Sequence, residues 1–212
     1  MKNFYLLLLT LLFFLSSEAQ SHYRIGIGLY EISEVSFVDG TGHPHPWSYA
    51  HQVLNNILLE KWKKKTMHRL STRYINMNHS LKNSDFQLYS DQALGETKRS
   101  GFDVGYSFLY SFGKRKIFST GTGITYVHNR LKTPTPHREM ANLRTNTLSV
   151  NALLEFNFEV FDNWYISPSA QFFVPIHSEY KNLEQVSAYN YELSPSLQLT
   201  PLRISIKRDL NP

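Results

Sequence analysis

The 212-residue chain contains no cysteine. In an exported protein that excludes disulfide staples and a cysteine-linked lipid anchor, so stability must come from elsewhere. Long hydrophobic runs are also missing. Beyond the first twenty residues no stretch is apolar enough over the roughly 20 residues that a spanning helix needs. The mean hydropathy of −0.34 would by itself suggest a soluble protein. Charge of one sign is scarce as well. Lys and Arg number 22 against 17 Asp and Glu, a formal net charge of +5. The positive residues are dispersed, which gives no support to nucleic acid as a partner. So modest an excess fits attraction to anionic lipid head groups.

Aromatic residues, by contrast, are plentiful, at 14% of the chain, and their placement is regular. Between Gly101 and Gly113 the even positions are Phe102, Val104, Tyr106, Phe108, Tyr110 and Phe112. The odd positions are small or polar (Gly101, Asp103, Gly105, Ser107, Ser111, Gly113), with Leu109 the exception. A period of two sends these sets to opposite faces of a strand. The aromatic face is too bulky to line a narrow lumen, and the opposite face is small enough to do so. Apolar outside and polar inside is the arrangement of a strand that faces lipid.

The alternation recurs. Leu148, Val150, Ala152, Leu154, Phe156, Phe158 and Val160 oppose Thr147, Ser149, Asn151, Leu153, Glu155, Asn157 and Glu159. From Trp164 to Ile176 apolar residues oppose Ser167, Ser169 and Gln171, with His177 and Glu179 continuing the polar face. From Tyr189 to Leu199 the odd positions are apolar; the phase slips at Pro201, after which Leu202, Ile204 and Ile206 carry the apolar face. Proline at such a slip predicts a bulge. Weaker alternation marks Tyr23 to Leu29, Met67 to His79 and Ile117 to Arg130, and Asp85 to Asp91 supplies a short further strand. The total is eight. Gly113-Lys114-Arg115 and Asp162-Asn163 are tight turns, whereas Leu131 to Leu143 and Ser178 to Ala188 are long polar loops. Short turns face the periplasm in such barrels, which places both termini there.

Ser48 to Lys63 has a different spacing. Tyr49, Ala50, Val53, Leu54, Ile57, Leu58 and Trp62 recur at helical intervals after Ser48, a suitable N-cap. This predicts a helix in the first long loop, with a rival reading as the second strand, in which case Asp85 to Asp91 becomes loop. The first residues are a separate matter. Lys2, an apolar run from Phe4 to Leu15, and small residues at Ser17 and Ala19 indicate a secretory signal peptide over residues 1–19. Residues 20–212 then form one barrel domain.

The alternating segment from Gly101 to Gly113, its turn, the run from Phe118 to Tyr126 and the stretch from Ser194 to Leu199 resemble the small OmpA/OmpX-like outer-membrane β-barrel proteins of Gram-negative bacteria. The resemblance is one of pattern and covers residues 20 to 212. It implies an all-β, eight-stranded antiparallel transmembrane barrel in the outer membrane, with membrane lipid and the barrel-assembly machinery as partners. Many relatives of that kind end on an aromatic residue; this chain ends on Lys207, Arg208, Asp209, Leu210, Asn211 and Pro212.

Candidate chemistry is sparse. Arg24, Arg69, Arg73, Asp103, Glu155, Glu159 and Glu192 fall on the inward face and are expected to form a network of paired charges that plugs the lumen, because an unpaired ion there is costly. Glu155 and Glu159 have the spacing of an inward face, which accounts for them without a catalytic carboxylate pair. His79-Ser80 and His177-Ser178-Glu179 are the only serine–histidine candidates for a lipid-modifying enzyme, and adjacent side chains on a strand point to opposite faces. His43, His45 and His51 lack the carboxylate or thiol of a usual metal site. No cofactor, metal or catalytic residue is assigned, and no extracellular ligand is identified. The run Lys61, Lys63, Lys64, Lys65 reads as a solvated helix end or, with Trp47 and Trp62, as a contact with outer-leaflet phosphates. The leading expectation is a non-catalytic structural or surface-interaction protein; the alternatives are a barrel enzyme acting on lipids and a soluble exported barrel that binds an apolar ligand.

If the phase is right, Phe108→Arg puts a charge in lipid and costs about 2–4 kcal/mol near the midplane. Reduced recovery of the folded form in membrane fractions is the expected result.

Overall fold

A computed structural model describes residues 21–38, 48–80, 96–113, 117–134, 140–182 and 194–210. Nine strands are present: β1 (His22–Val38), β2 (Ser48–Lys63), β3 (Thr66–Ser80), β4 (Glu96–Phe112), β5 (Phe118–Pro134), β6 (Met140–Phe156), β7 (Phe158–Phe161), β8 (Trp164–Asn182) and β9 (Ser194–Asp209). Each pairs antiparallel with its neighbour, β1 with β9, and β6 with β8, which closes the cylinder. β6 and β7 are one barrel strand interrupted at Asn157, so the barrel has eight strands. No helix occurs among the described residues.

Closure needs stagger. Cross-strand partners followed round from Arg24 run through Glu60, Arg69, Ser107, Gly123, Asn151, Phe173 and Gln198. They return to β1 at Val35, about eleven residues above the start, which corresponds to a strand tilt of about 40–45°.

The faces are those that lipid requires. Phe102, Tyr106, Phe108, Tyr110 and Phe112 are exposed, whereas Asp103, Ser107 and Ser111 are buried. Ile25, Ile27, Ile57, Ile124, Val150, Leu154, Ile166 and Phe172 continue the exposed apolar band round the barrel. At the turn end, Tyr110, Phe112, Phe118, Phe156 and Phe158 contact one another in series, with ring centroids 5.1 to 6.3 Å apart. This is an aromatic girdle at one interface. Leu109, the apolar residue on the polar face, turns inward and packs with Trp62, Met67 and Leu153 as a plug at that end of the lumen.

The helix expected over Ser48 to Lys63 is strand β2, in ladder with β1 from Trp62 to Ser48. The helical spacing has a local cause. Leu54 has φ 48° at a bulge where β2 carries one more residue than β1 between Gly28 and Tyr30. Val53 and Leu54 are therefore both exposed, while Leu58 and Trp62 are apolar residues of the lumen face. An interrupted two-residue period with apolar side chains on both faces imitates i, i+3, i+4. Strand two is thus Ser48–Lys63, and the short strand expected at Asp85 to Asp91 lies outside the described residues.

Other boundaries shift outward. Leu131 to Leu143, expected as loop, is mostly ladder, since Leu131 pairs with Leu143 and Pro134 with Met140. β8 likewise runs on to Asn182, well into the expected loop from Ser178. The lysine run forms the β2–β3 turn, with Lys64 at φ 55° and Thr66 Oγ1 donating to Lys63 O at 2.8 Å. It lies at the same end of the barrel as Asn163 and Gly113. The bulge at Pro201 occurs as the phase slip implies, between Thr200 and Arg203.

Gly121 and Gly123 are required by close approach. A Cβ at Gly121 would lie 2.0 Å from Phe108 O, and one at Gly123 would lie 2.2 Å from Tyr106 O. Gly123→Ala forces β4 and β5 apart and should cost about 1–3 kcal/mol. A lower urea midpoint in detergent micelles or vesicles checks it.

Candidate functional site

Two groups of buried ions, stacked along the barrel axis, fill the lumen. The group nearer the turns is built on Glu60 and Glu155. Arg69 Nη2 bridges them, at 2.7 Å from Glu60 Oε1 and 2.6 Å from Glu155 Oε2. Lys207 Nζ bridges the same two carboxylates, at 2.8 and 2.6 Å. Arg24 donates from Nε to Asp209 Oδ1 at 2.7 Å, and its Nη1 lies 4.0 Å from Glu60. Trp62 Nε1 adds a bond to Glu60 Oε2 at 3.2 Å. The three cations Arg24, Arg69 and Lys207 thus balance Glu60, Glu155 and Asp209.

The second group lies further from the turns. Arg73 pairs with both Glu31 and Asp103. Arg203 donates to Glu31 Oε2 at 3.0 Å and to Gln171 Oε1 at 3.2 Å. Asn55 Nδ2 reaches the same Glu31 oxygen at 3.3 Å. Beyond them Arg99 meets, among the described residues, only amide oxygens, Asn129 Oδ1 at 2.9 Å and Gln198 Oε1 at 3.1 Å. Hydroxyls and amides fill the gap between the groups, including Asn151, which donates to Thr125 Oγ1 at 2.8 Å.

Of the inward set read from the sequence, Arg24, Arg69, Arg73, Asp103 and Glu155 meet in these groups. Glu159 does not. It is exposed in β7 beside the terminal turn, where its Oε1 accepts from the Asn163 N–H at 3.4 Å. It and Glu155 form no pair. Glu192 lies outside the described residues. Glu31, Glu60, Arg203 and Lys207 are members that the sequence reading did not name. Glu31 is displaced by the bulge after Gly28, and Glu60 sits on the strand read as helix. Arg203 and Lys207 were legible, because they alternate with Leu202, Ile204 and Ile206.

The other candidates are dispersed. His177 and Glu179 are exposed, not on the lumen face as expected, because β8 carries an extra residue opposite Leu148 and Ser149. His177 Nε2 lies 3.8 Å from Glu179 Oε1, while Ser178 turns away and donates to Thr147 Oγ1 at 3.2 Å. His51 bonds to Tyr30 Oη at 2.7 Å; His43 and His45 lie outside the described residues. No group of three metal-ligating side chains occurs among the described residues. Trp62, expected at the membrane interface, is buried in the lumen plug, where its ring stacks on His22. His79 and Ser80 end β3 opposite Thr97 and Glu96.

No family model matches the chain, and no curated protein matches it. Solved structures match its fold. The outer membrane protein OprG from Pseudomonas aeruginosa superposes with TM-score 0.52 at 10% identity, over 89% of this chain and 96% of that one. The outer membrane protein AlkL, solved by solid-state NMR in lipid bilayers, gives 0.51 at 8%, over 93% of each chain. Ail, the attachment invasion locus protein of Yersinia pestis, gives 0.50 at 9%, over 90% and 99%. With an apolar exterior around a charged interior, the chain has the fold of these small outer-membrane β-barrels.

Glu155→Gln removes one of two carboxylates that hold Arg69 and Lys207. It should destabilise the barrel by about 3–5 kcal/mol, whereas Glu159→Gln should stay within about 0.5 kcal/mol. Urea unfolding of both variants in lipid vesicles measures the contrast.

Proposed function

We propose that this protein is a non-catalytic outer-membrane barrel whose interior is a structural plug and whose contacts with the outside are made by the connections opposite the tight turns. The observation that carries this reading is the commitment of the lumen carboxylates. Glu31, Glu60, Asp103 and Glu155 are each held by Arg or Lys, so they serve cohesion rather than proton transfer. An eight-stranded barrel leaves little room beyond its own side chains, and Trp62, Met67, Leu109 and Leu153 close its turn end. A rigid wall of this kind suits the display of long connections, where binding residues commonly lie. A signal peptide over residues 1–19, removed before assembly, belongs to the same reading.

Purified protein in a planar bilayer should give no steady ion conductance, and lipid A from cells with and without the gene should carry the same acyl chains. Stable conductance steps would refute the plug. A changed acyl pattern would instead favour an enzyme acting on outer-membrane lipids.

A further inference from the structure

The backbone ladder between β2 and β3 covers only the half of these strands nearer the turn. Their ladder begins at Lys63 with Thr66 and stops at Asn56 with Arg73. Beyond that point, among the described residues, the outer half of β2 pairs only with β1, and the outer half of β3 only with β4. A side chain spans the gap: Gln52 Nε2 donates to Tyr74 O at 2.7 Å, and Gln52 Oε1 accepts from the Asn76 N–H at 3.3 Å. The strands are held an amide's width apart. An open sheet edge is not tolerated in hydrocarbon unless it lines a cavity or finds other partners, so this seam has an occupant or a wet lining.

Apolar side chains stand on both sides of the seam, beside the exposed polar residues His51, Asn76 and Asn78. On the outside Val53 is 65% exposed, Leu54 70% and Tyr74 61%, well above the 38% to 46% of the aromatic residues of β4. On the inside, at the same end of the lumen, Ala50, Ile75, Met77 and Val127 form a buried apolar cluster. The cluster borders unfilled donors. Met77 is the cross-strand partner of Arg99. Arg99 Nη1 and Gln198 Nε2 have no acceptor among the described residues, although both residues are more than nine-tenths buried. The two side chains already touch through Arg99 Nη2 and Gln198 Oε1. The outer charge group is also unbalanced among the described residues, with Arg73, Arg99 and Arg203 against Glu31 and Asp103.

We propose that this juxtaposition is a binding site for a single-chain anionic amphiphile that enters laterally from the outer leaflet. Its anionic head accepts from Arg99 and Gln198. Its hydrocarbon tail lies over Met77, Ile75 and Ala50 and leaves through the seam between Leu54 and Tyr74 into the bilayer. A carboxylate or a phosphate monoester satisfies the head chemistry equally. A second copy adding a strand fits less well, since Gln52 spaces the two edges for a chain rather than for a backbone ladder.

Spin-labelled stearate in phosphatidylcholine vesicles that contain the full-length protein tests the proposal, with stearate, lysophosphatidate and stearyl alcohol as competitors. A motionally restricted component displaced by either anion, and poorly by the alcohol, is expected. The stronger anion identifies the source as fatty acid or phospholipid. Arg99→Gln should weaken both anions about tenfold, the loss of one charge-assisted hydrogen bond, and leave the alcohol unchanged; Arg99→Lys should restore much of the loss. Ala50→Trp should weaken all three. Heat-modifiable migration on gels verifies that each variant is folded. No restricted component in the wild type, equal competition by the alcohol, or an Arg99→Gln profile identical to the wild type would overturn the site. So would native mass spectra showing dimers with no bound stearate.

Discussion

An ionised side chain inside a narrow barrel has no bulk water to solvate it and must find a counter-ion on the facing wall. The same pairing that neutralises the charge therefore ties strands together that are not neighbours in the sheet. Arg69 on β3 reaches Glu155 on β6, and Lys207 on β9 reaches the same carboxylate. Arg203 on β9 and Arg73 on β3 converge on Glu31 of β1. Glu31, Glu60 and Glu155 each accept from at least two strands. Removing one member leaves the others desolvated and unpaired, which is why such groups are costly to break even where a wholly apolar substitute would be stable. With no cysteine in the chain, these ties and the closed ladder are the staples that the fold has.

The exterior follows from the same constraint. Once the polar side chains are consumed inside, the alternate positions can be apolar without a soluble core to bury them. That separation explains how a chain of negative mean hydropathy spans a membrane. Bulges adjust it locally. The extra residue that β1 carries after Gly28 relative to β9, the bulge at Pro201 and the one opposite Leu148 and Ser149 each reverse which parity faces the lumen. They decide where Glu31, Arg203 and His177 point.

Strands with an unbroken period were readable from sequence: β4 from Gly101 to Phe112, β6 from Leu148 to Phe156, and β9 with its slip at Pro201. The inward placement of Asp103 and Glu155 followed from those phases, and that of Arg24, Arg69 and Arg73 from the weaker alternation of β1 and β3. What failed did so at phase breaks. A bulge at Leu54, with no proline or glycine to announce it, gave β2 the spacing of a helix and hid Glu60 and Trp62. Glu31 was lost at the shift after Gly28 in the same way. Glu159 keeps the inward parity but lies beside the terminal turn, where parity no longer implies burial. The split between β2 and β3 has no local signal, because pairing between strands is set by neighbours rather than by either segment alone.

Which face of the strands meets hydrocarbon fixes the placement of every other side chain in the barrel. Because the chain has no native thiol, single cysteines can be placed without background. Bimane attached through Ile124→Cys and, separately, through Thr125→Cys in vesicles of brominated lipid would report the two faces of β5 at one depth. Strong quenching at position 124 and little at 125 is the predicted result. Quenching at 125 with protection at 124 would contradict it.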